Sequence, residues 1–266
     1  MQLFISWHPD PNVFSTGLFS VQWYGLSWGL GIMAGYGMAM WVFNKLKVPE
    51  DKLVLIIQYL FIGGLLGARL GQVFFYEWPY FSAHPIEILK IWKGGLASHG
   101  GMIGALLGLW LFTRIHKEFS MLWLMDYAAV CIPFLCSFIR IGNLMNSEIP
   151  GRATTVPWGF QFGTDVIARH PVVLYEAIAY LLIQFLLIYL FTKYKDTKPG
   201  LYSITFLLLM FSVRMALEVF KKPEADFIPG WLSSTQALSL PFIALGLVLF
   251  VLHAKNKLHY QTPHNA

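Results

Sequence analysis

The chain has 266 residues, of which 56% are hydrophobic and only 12% charged. That balance excludes an ordinary soluble domain and indicates a protein that crosses a membrane several times. Nineteen Lys and Arg against fourteen Asp and Glu leave a formal charge of +5, with no basic run; the excess fits anionic lipid at an inner membrane face and gives nucleic acid no footing.

Residues 1–20 are polar and proline-bearing, with His8-Pro9-Asp10-Pro11 disfavouring a helix, and read as an outward-facing arm. They lack a basic stretch followed by an apolar core, so no cleavable signal peptide is expected. Apolar runs then predict seven spans, near residues 21–43, 53–76, 94–113, 122–139, 172–191, 201–220 and 236–253. In the first, Gly25, Gly29, Gly31, Gly35 and Gly37 suggest close helix packing. The second carries Arg69, as suited to a buried pair or a headgroup contact as to snorkelling. Residues 77–94 read as an amphipathic interfacial stretch or a plain loop.

The third span opens on Ser98-His99-Gly100-Gly101. A lone histidine at a helix end is usually structural, yet beside glycines it is open to a ligand and its ordinary titration range suits proton transfer. The fourth holds Asp126 near its start and Pro133 within, which implies a kink. Cys131 and Cys136, five apart on that run, cannot reach each other without strain and read as small core residues.

Residues 140–171 form a long polar connection opening with Arg140-Ile-Gly-Asn-Leu-Met-Asn-Ser-Glu-Ile-Pro-Gly-Arg152. An arginine at a bilayer centre costs roughly 2.5 to 3.5 kcal/mol, so a functional partner is its default reading, with interfacial snorkelling as the alternative. In helical geometry Arg140, Asn143 and Asn146 share a face, while Gly142, Pro150 and Gly151 argue for a break. Broken backbone at membrane depth needs a protein or polar lining, so this element suits a cavity for an anionic headgroup. Glu176 lies one turn inside the fifth span and can pair with an arginine of the cluster. Arg214 and Glu218, four apart on the sixth, can neutralise each other structurally or serve a site. Ser233 to Gln236 supply a cap for the seventh.

With seven spans, ten Lys and Arg (Lys45, Lys47, Lys52, Arg114, Lys117, Lys193, Lys195, Lys198, Lys255, Lys257) fall on one side. Seven fall on the other, and two of those, Arg140 and Arg152, belong to the cluster. The positive-inside rule then places the N-terminus outside, the C-terminus in the cytoplasm and the cluster facing outward.

These residues carry a resemblance. The Arg140 to Arg152 stretch resembles the signature of the bacterial prolipoprotein diacylglyceryl transferase family, G-R-[IL]-G-N-F-[IL]-N-x-E-x-x-G-R. The likeness extends through Asp10-Pro11, Trp23-Tyr24-Gly25, Gly67-Ala68-Arg69-Leu70-Gly71, Ser98-His99-Gly100-Gly101, His170-Pro171 with Leu174-Tyr175-Glu176, Arg214 with Glu218, and Gln236-Ala237-Leu238-Ser239. It implies an all-α integral membrane enzyme of seven transmembrane helices in the bacterial cytoplasmic membrane, one domain over residues 1–266. It implies transfer of the diacylglyceryl group of phosphatidylglycerol to the lipobox cysteine of a preprolipoprotein, giving a thioether and glycerol 1-phosphate, without metal or organic cofactor.

The resemblance points to His99, Arg140 and Arg214 as catalytic positions and to Tyr24, Asn143, Asn146, Glu148, Gly151, Arg152 and Glu218 as substrate-binding ones. In that reading Arg140 and Arg214 hold the phosphate, Asn143 and Asn146 bind glycerol or phosphate oxygens, Glu148 and Glu218 orient the arginines, and His99 acts as base or as donor to the lipid. Three positions depart from the family pattern: Ile139 before the arginine, Val172-Val173 after His170-Pro171, and Met210 one turn before Arg214. Without the resemblance the residues reach only a lipid- or anion-handling membrane protein, and an anion transporter or a structural subunit remains open.

Overall fold

The computed structural model describes residues 4–17, 19–195, 198–222, 226–228 and 232–260. Eight α-helices dominate: α1 (Trp23–Lys45), α2 (Glu50–Gly71), α3 (Trp78–Ala83), α4 (Ser98–Ile115), α5 (Met121–Met145), α6 (Val172–Tyr194), α7 (Leu201–Leu217) and α8 (Ser234–Ala254). Short strands pair around them. β1 (Ile5–Trp7) runs parallel to β4 (Phe160–Phe162), β2 (Asn12–Ser15) is antiparallel to β3 (Ser20–Gln22), and β5 (Asp226–Ile228) to β6 (Leu232–Ser233). The arm thus contains paired strands, not only irregular chain.

Among the described residues, six helices are long and apolar enough to cross a membrane: Trp23–Lys45, Glu50–Tyr76, Met121–Met145, Val172–Tyr194, Leu201–Phe220 and Ser234–Ala254. The protein is a polytopic, all-helical membrane protein. α4, with 18 residues, lies outside that set. Contacts divide the chain into two units, one comprising residues 1–39 and 125–259, the other residues 40–124 and 260–266.

In the second unit, α2 and α4 pack through glycine. A Cβ on Gly71 would lie 2.9 Å from the Gly100 Cα and one on Gly104 would lie 2.8 Å from the Gly67 Cα, so the two backbones touch without side chains between them. Bare backbone contact of this kind is how apolar helices associate where lipid offers no hydrophobic gain. Arg69, one turn from the end of α2, is 6% exposed. It takes neither a carboxylate nor a surface position. Its guanidinium donates to the carbonyls of Ile88 (2.8 Å), Gly94 (2.8 Å), Gly95 (3.0 Å) and Glu87 (2.5 Å), and lies 4.8 Å over the Phe81 ring. This corrects the expectation of a buried pair, a headgroup contact or snorkelling: short turns at Pro85–Leu89 and Ile91–Lys93, with the two glycines that follow, turn carbonyls toward the guanidinium, and a five-donor fork takes them up. Lys90 and Lys93 pair with Glu87 at 2.5 and 2.8 Å and hold its carboxyl down to about 2.

The first unit is organised by α5 to α8. Asp126, fully buried, accepts from the backbone of Gly200 (2.6 Å) and Ser203 (2.8 Å). It therefore caps α7, whose own N-cap, Gly200, has φ +83° and no side chain to offer. Ser233 caps α8 in a reciprocal box with Gln236, as the sequence predicts. Of the α1 glycines, Gly31 abuts Leu135 and Phe138 of α5, and Gly35 approaches the Cys131 carbonyl. At Gly25, Gly29 and Gly37 a Cβ meets nothing within 4 Å, because those positions turn away from the α5 face; the expectation of packing at all five is corrected to two.

Gly104→Val is expected to destabilise the protein by about 1–3 kcal/mol or more, since backbone cannot yield as a flexible side chain can. Gly29→Ala is expected to be neutral or stabilising, by up to about 1 kcal/mol. Thermal unfolding of both variants in detergent checks the contrast.

Candidate functional site

The site grows from the last two turns of α5. Read from sequence, the helix ends near Ile139, but it runs on to Met145, so Arg140 and Asn143 are helical and the connection begins at Asn146. A partner on α6 makes this extension tolerable: Arg140 Nε lies 2.6 Å from Glu176 Oε2, and Glu176 is fully buried. The pairing proposed for Glu176 is formed. Lys221 Nζ approaches the other oxygen of the same carboxylate at 3.1 Å and reaches Glu218 at 3.2 Å. Both contacts to Glu176 are close ion pairs without the alignment of a directed hydrogen bond.

Asn143, 5% exposed, accepts from Arg140 Nη1 (3.2 Å) and donates to Glu148 Oε2 (2.5 Å), while Asn146 donates to Glu148 Oε1 (3.0 Å). Glu148 thus holds the two amides, one of which accepts from Arg140, and makes no ion pair with an arginine among the described residues. The Asn146 carbonyl oxygen is buried without a partner among the described residues. Ser147 and Ile149, at φ +55° and +53°, turn the chain sharply here, a conformation that costs non-glycine residues energy. Main-chain bonds from Ser147 to Leu144 (3.0 Å) and from Glu148 to Asn143 (2.9 Å) hold it.

Arg214 and Glu218 do not pair. α7 ends at Leu217 and the chain tightens into a three-residue turn over Glu218–Phe220, which delivers Glu218 to Lys221 and to the Ser233 hydroxyl (2.7 Å) instead. Arg214 makes no ion pair within 4 Å among the described residues, although it is half-buried. It shares electrostatic surroundings with Arg140, since Cys136 and Tyr180 lie close to both. The Tyr180 hydroxyl is buried there beside the Arg140 guanidinium. Two cations and a buried hydroxyl thus lie in one neighbourhood.

The remaining positions frame this network. Tyr24, in the first turn of α1, and Ser27 press on Gly142, where a Cβ would lie 3.2 Å from the Tyr24 ring and 3.1 Å from the Ser27 Cβ. Gly151 is buried in a backbone junction: a Cβ would meet the Phe220 carbonyl at 2.7 Å and Val172 at 2.8 Å. Its amide donates to the His170 carbonyl (3.0 Å) and the next, Arg152, to Phe220 (2.8 Å). The Arg152 side chain is exposed and donates to the Lys221 carbonyl (2.9 Å). Gly151 and Arg152 thus tie the connection to the end of α7. Val172 and Val173 are fully buried core residues. His170 packs on Phe220 and bonds the Tyr175 hydroxyl (3.1 Å), and burial lowers its pKa, so it is neutral at pH 7. His99 belongs to the other unit, exposed in the first turn of α4.

Sequence reasoning missed Lys221 and Tyr180. Lys221 reads as an ordinary loop cation; Tyr180 had a signal, standing one helical turn after Glu176 on the same face.

The profile of the family described as prolipoprotein diacylglyceryl transferase matches residues 11–252, nearly the whole chain. The chain belongs to this family. Proteins named phosphatidylglycerol–prolipoprotein diacylglyceryl transferase are similar along their full length. One from Tolumonas auensis is 45% identical over 253 residues, covering 94% of this chain and 98% of the relative. One from Chloroherpeton thalassium is 41% identical, covering 92% and 93%. One from Bacteroides fragilis is 36% identical, covering 96% and 97%. Within this prolipoprotein diacylglyceryl transferase family member, the matched span contains every residue of the polar network from Tyr24 to Ser233.

Removing the shared carboxylate should be costly. Glu176→Leu strands Arg140, leaves Lys221 with Glu218 alone, and is expected to destabilise the protein by about 3–5 kcal/mol. Replacing Arg140 as well (Glu176→Leu with Arg140→Leu) removes the stranded charge and is expected to recover part of that loss in thermal unfolding.

Proposed function

We propose that this protein transfers the diacylglyceryl group of phosphatidylglycerol to the lipobox cysteine thiol of a preprolipoprotein, forming a thioether and releasing glycerol 1-phosphate. Family membership supports the reaction. The observation that carries the site reading is Arg214, a half-buried arginine with no carboxylate partner among the described residues, sharing Cys136 and Tyr180 with Arg140.

In the reaction the substrate's sulfur bonds to the glyceryl carbon while the bond from that carbon to phosphate oxygen breaks, and the electron pair leaves with the phosphate. A phosphodiester carries one negative charge, and the departing monoester gains a second. Arginines directed at it bind the transition state more strongly than the ground state, which is the requirement for accelerating the chemical step. Arg140 is held in place for this by Glu176 and Asn143. Arg214 supplies the uncompensated charge and Tyr180 a hydroxyl donor. Asn146, with its free carbonyl oxygen, suits a glycerol hydroxyl. Tyr24, Asn143, Glu148, Gly151, Arg152 and Glu218 position these groups. His99 takes the thiol proton in this reading, on the strength of the resemblance; a cysteine near its reference pKa of ~8.5 needs only modest help to ionise. In this reading the residues supply acid, base and electrostatic groups themselves.

The proposed topology has seven spans, α4 being the third. At about 1.5 Å per residue its 18 residues reach about 27 Å, the thickness of a thin hydrocarbon core. The N-terminus lies outside, the C-terminus in the cytoplasm of a bacterium, the polar network opens outward, and residues 1–266 act as one integral membrane domain.

Transfer of label from glycerol-labelled phosphatidylglycerol to a lipobox peptide tests the function. Arg140→Ala and Arg214→Ala are expected to lose at least about 10²-fold in rate while remaining folded. Full activity in His99→Asn would remove that residue as obligatory base. Absence of transfer by folded wild type would refute the enzyme reading.

A further inference from the structure

Pro133 lies in the middle of α5, two turns before Arg140. A proline there has no N–H for the carbonyl four residues back, and its ring pushes that turn apart. Such sites usually bend the helix by more than about 20°. The carbonyl of Val130 and the amide of Phe134 flank the proline and would bond each other in a straight helix.

Gln184 of α6 takes both. Its Nε2 donates to the Val130 carbonyl at 2.8 Å and its Oε1 accepts from the Phe134 amide at 3.1 Å. The side chain is fully buried. A carboxamide donates and accepts side by side in one plane, and the partners, a carbonyl and an amide, fix which atom faces which. Two further ties follow along the same pair of helices. The buried Ser137 hydroxyl donates to the Ala177 carbonyl at 2.9 Å, and Arg140 meets Glu176 at 2.6 Å. Residues 134, 137 and 140 thus mark three successive anchor points of α5 on α6.

The geometry points to Gln184 as a positioning residue for Arg140: its carboxamide bridges the turn around Pro133 and so sets the direction of the half-helix that carries the guanidinium and Asn143. Arg140 lies seven residues beyond Pro133, a rise of about 10 Å. A change of about 20° in that direction moves the guanidinium by roughly 3–4 Å, more than a hydrogen-bond length. Misplacement of about 1 Å can lower a rate about 10²-fold. Neither of the two hydrogen bonds of Gln184 goes to a residue proposed to meet substrate; it acts through the α5 backbone.

This inference rests on the role proposed above for Arg140, and its test separates the two. The purified full-length protein is assayed for diacylglyceryl transfer, giving kcat and KM for phosphatidylglycerol alongside thermal unfolding, for wild type, Gln184→Leu, Gln184→Glu and the double variant Pro133→Ala with Gln184→Leu. Gln184→Leu is expected to lower both melting temperature and kcat, the latter by at least about tenfold, with KM changed far less. Gln184→Glu, which keeps an acceptor and, when protonated in its buried site, a donor, is expected to retain most of kcat. The double variant regains the missing N–H and leaves no buried amide, so its melting temperature should return to that of wild type while kcat stays at least about tenfold down. Wild-type kcat in the double variant would overturn the inference, showing that Gln184 only satisfies the backbone around the proline. So would full kcat in Gln184→Leu. If Gln184→Leu does not fold, the double variant and Gln184→Glu still decide the question. Absence of transfer by wild type itself would count against the transferase reading instead.

Discussion

One fully buried carboxylate, that of Glu176, governs the polar interior of this protein. Charges removed from water are tolerated only when paired, and here one acid neutralises Arg140 from α5 on one oxygen and Lys221 beyond α7 on the other. Lys221 is in turn shared with Glu218, which the Ser233 hydroxyl steadies at the start of α8. Four helices are therefore bound into one electrostatic unit: move any of them and a buried charge loses its partner. Arg140 and Lys221 meet Glu176 and Glu218, while Arg214, half-buried near Tyr180, makes no ion pair among the described residues.

The connection after α5 is shaped by the same need. Glu148 is acceptor-only when ionised, and two amides satisfy it, so the turn through Ser147 and Ile149 can be held in a costly backbone conformation. Beyond it, Gly151, Arg152 and His170 exchange main-chain bonds with each other and with the end of α7. The chain is long for a loop, yet it behaves as a fitted lining because its backbone is paired.

How much of this was legible in the sequence depends on the range of the interaction. The apolar runs located the spans within a few residues: 21–43 became Trp23–Lys45, and 172–191 became Val172–Tyr194. Where a polar residue was taken to end a helix, the reading failed, because Arg140 and Asn143 are made compatible with helix by Glu176, thirty-odd residues away. Arg69 reads as a charge seeking a charge; its partners are carbonyls of a turn that no pattern in the sequence reveals. Glu218 reads as the partner of Arg214 under α-helical spacing, and a local tightening of the helix reassigns it. Arg140, Asn143 and Glu148 were nonetheless legible as one polar cluster, because such residues are expensive within an apolar chain. Lys221 was not, since lysines near helix ends are commonplace.

The pairing at the N-terminus bears on how the molecule is assembled. The Trp7 indole donates to the Leu144 carbonyl at 2.9 Å, one of the acceptors that the end of α5 leaves open, and β1 lies in register with Phe160 to Phe162. Some of the first residues made are thus finished by residues made more than a hundred positions later. During synthesis the N-terminal strand must wait while α1 to α5 are made, its indole and backbone served by water until the β4 segment arrives. Closing so long a loop is entropically modest, since the cost grows only with the logarithm of its length, but it fixes a sequence of events. The Leu144 carbonyl at the end of α5 is closed off by the segment that was made first.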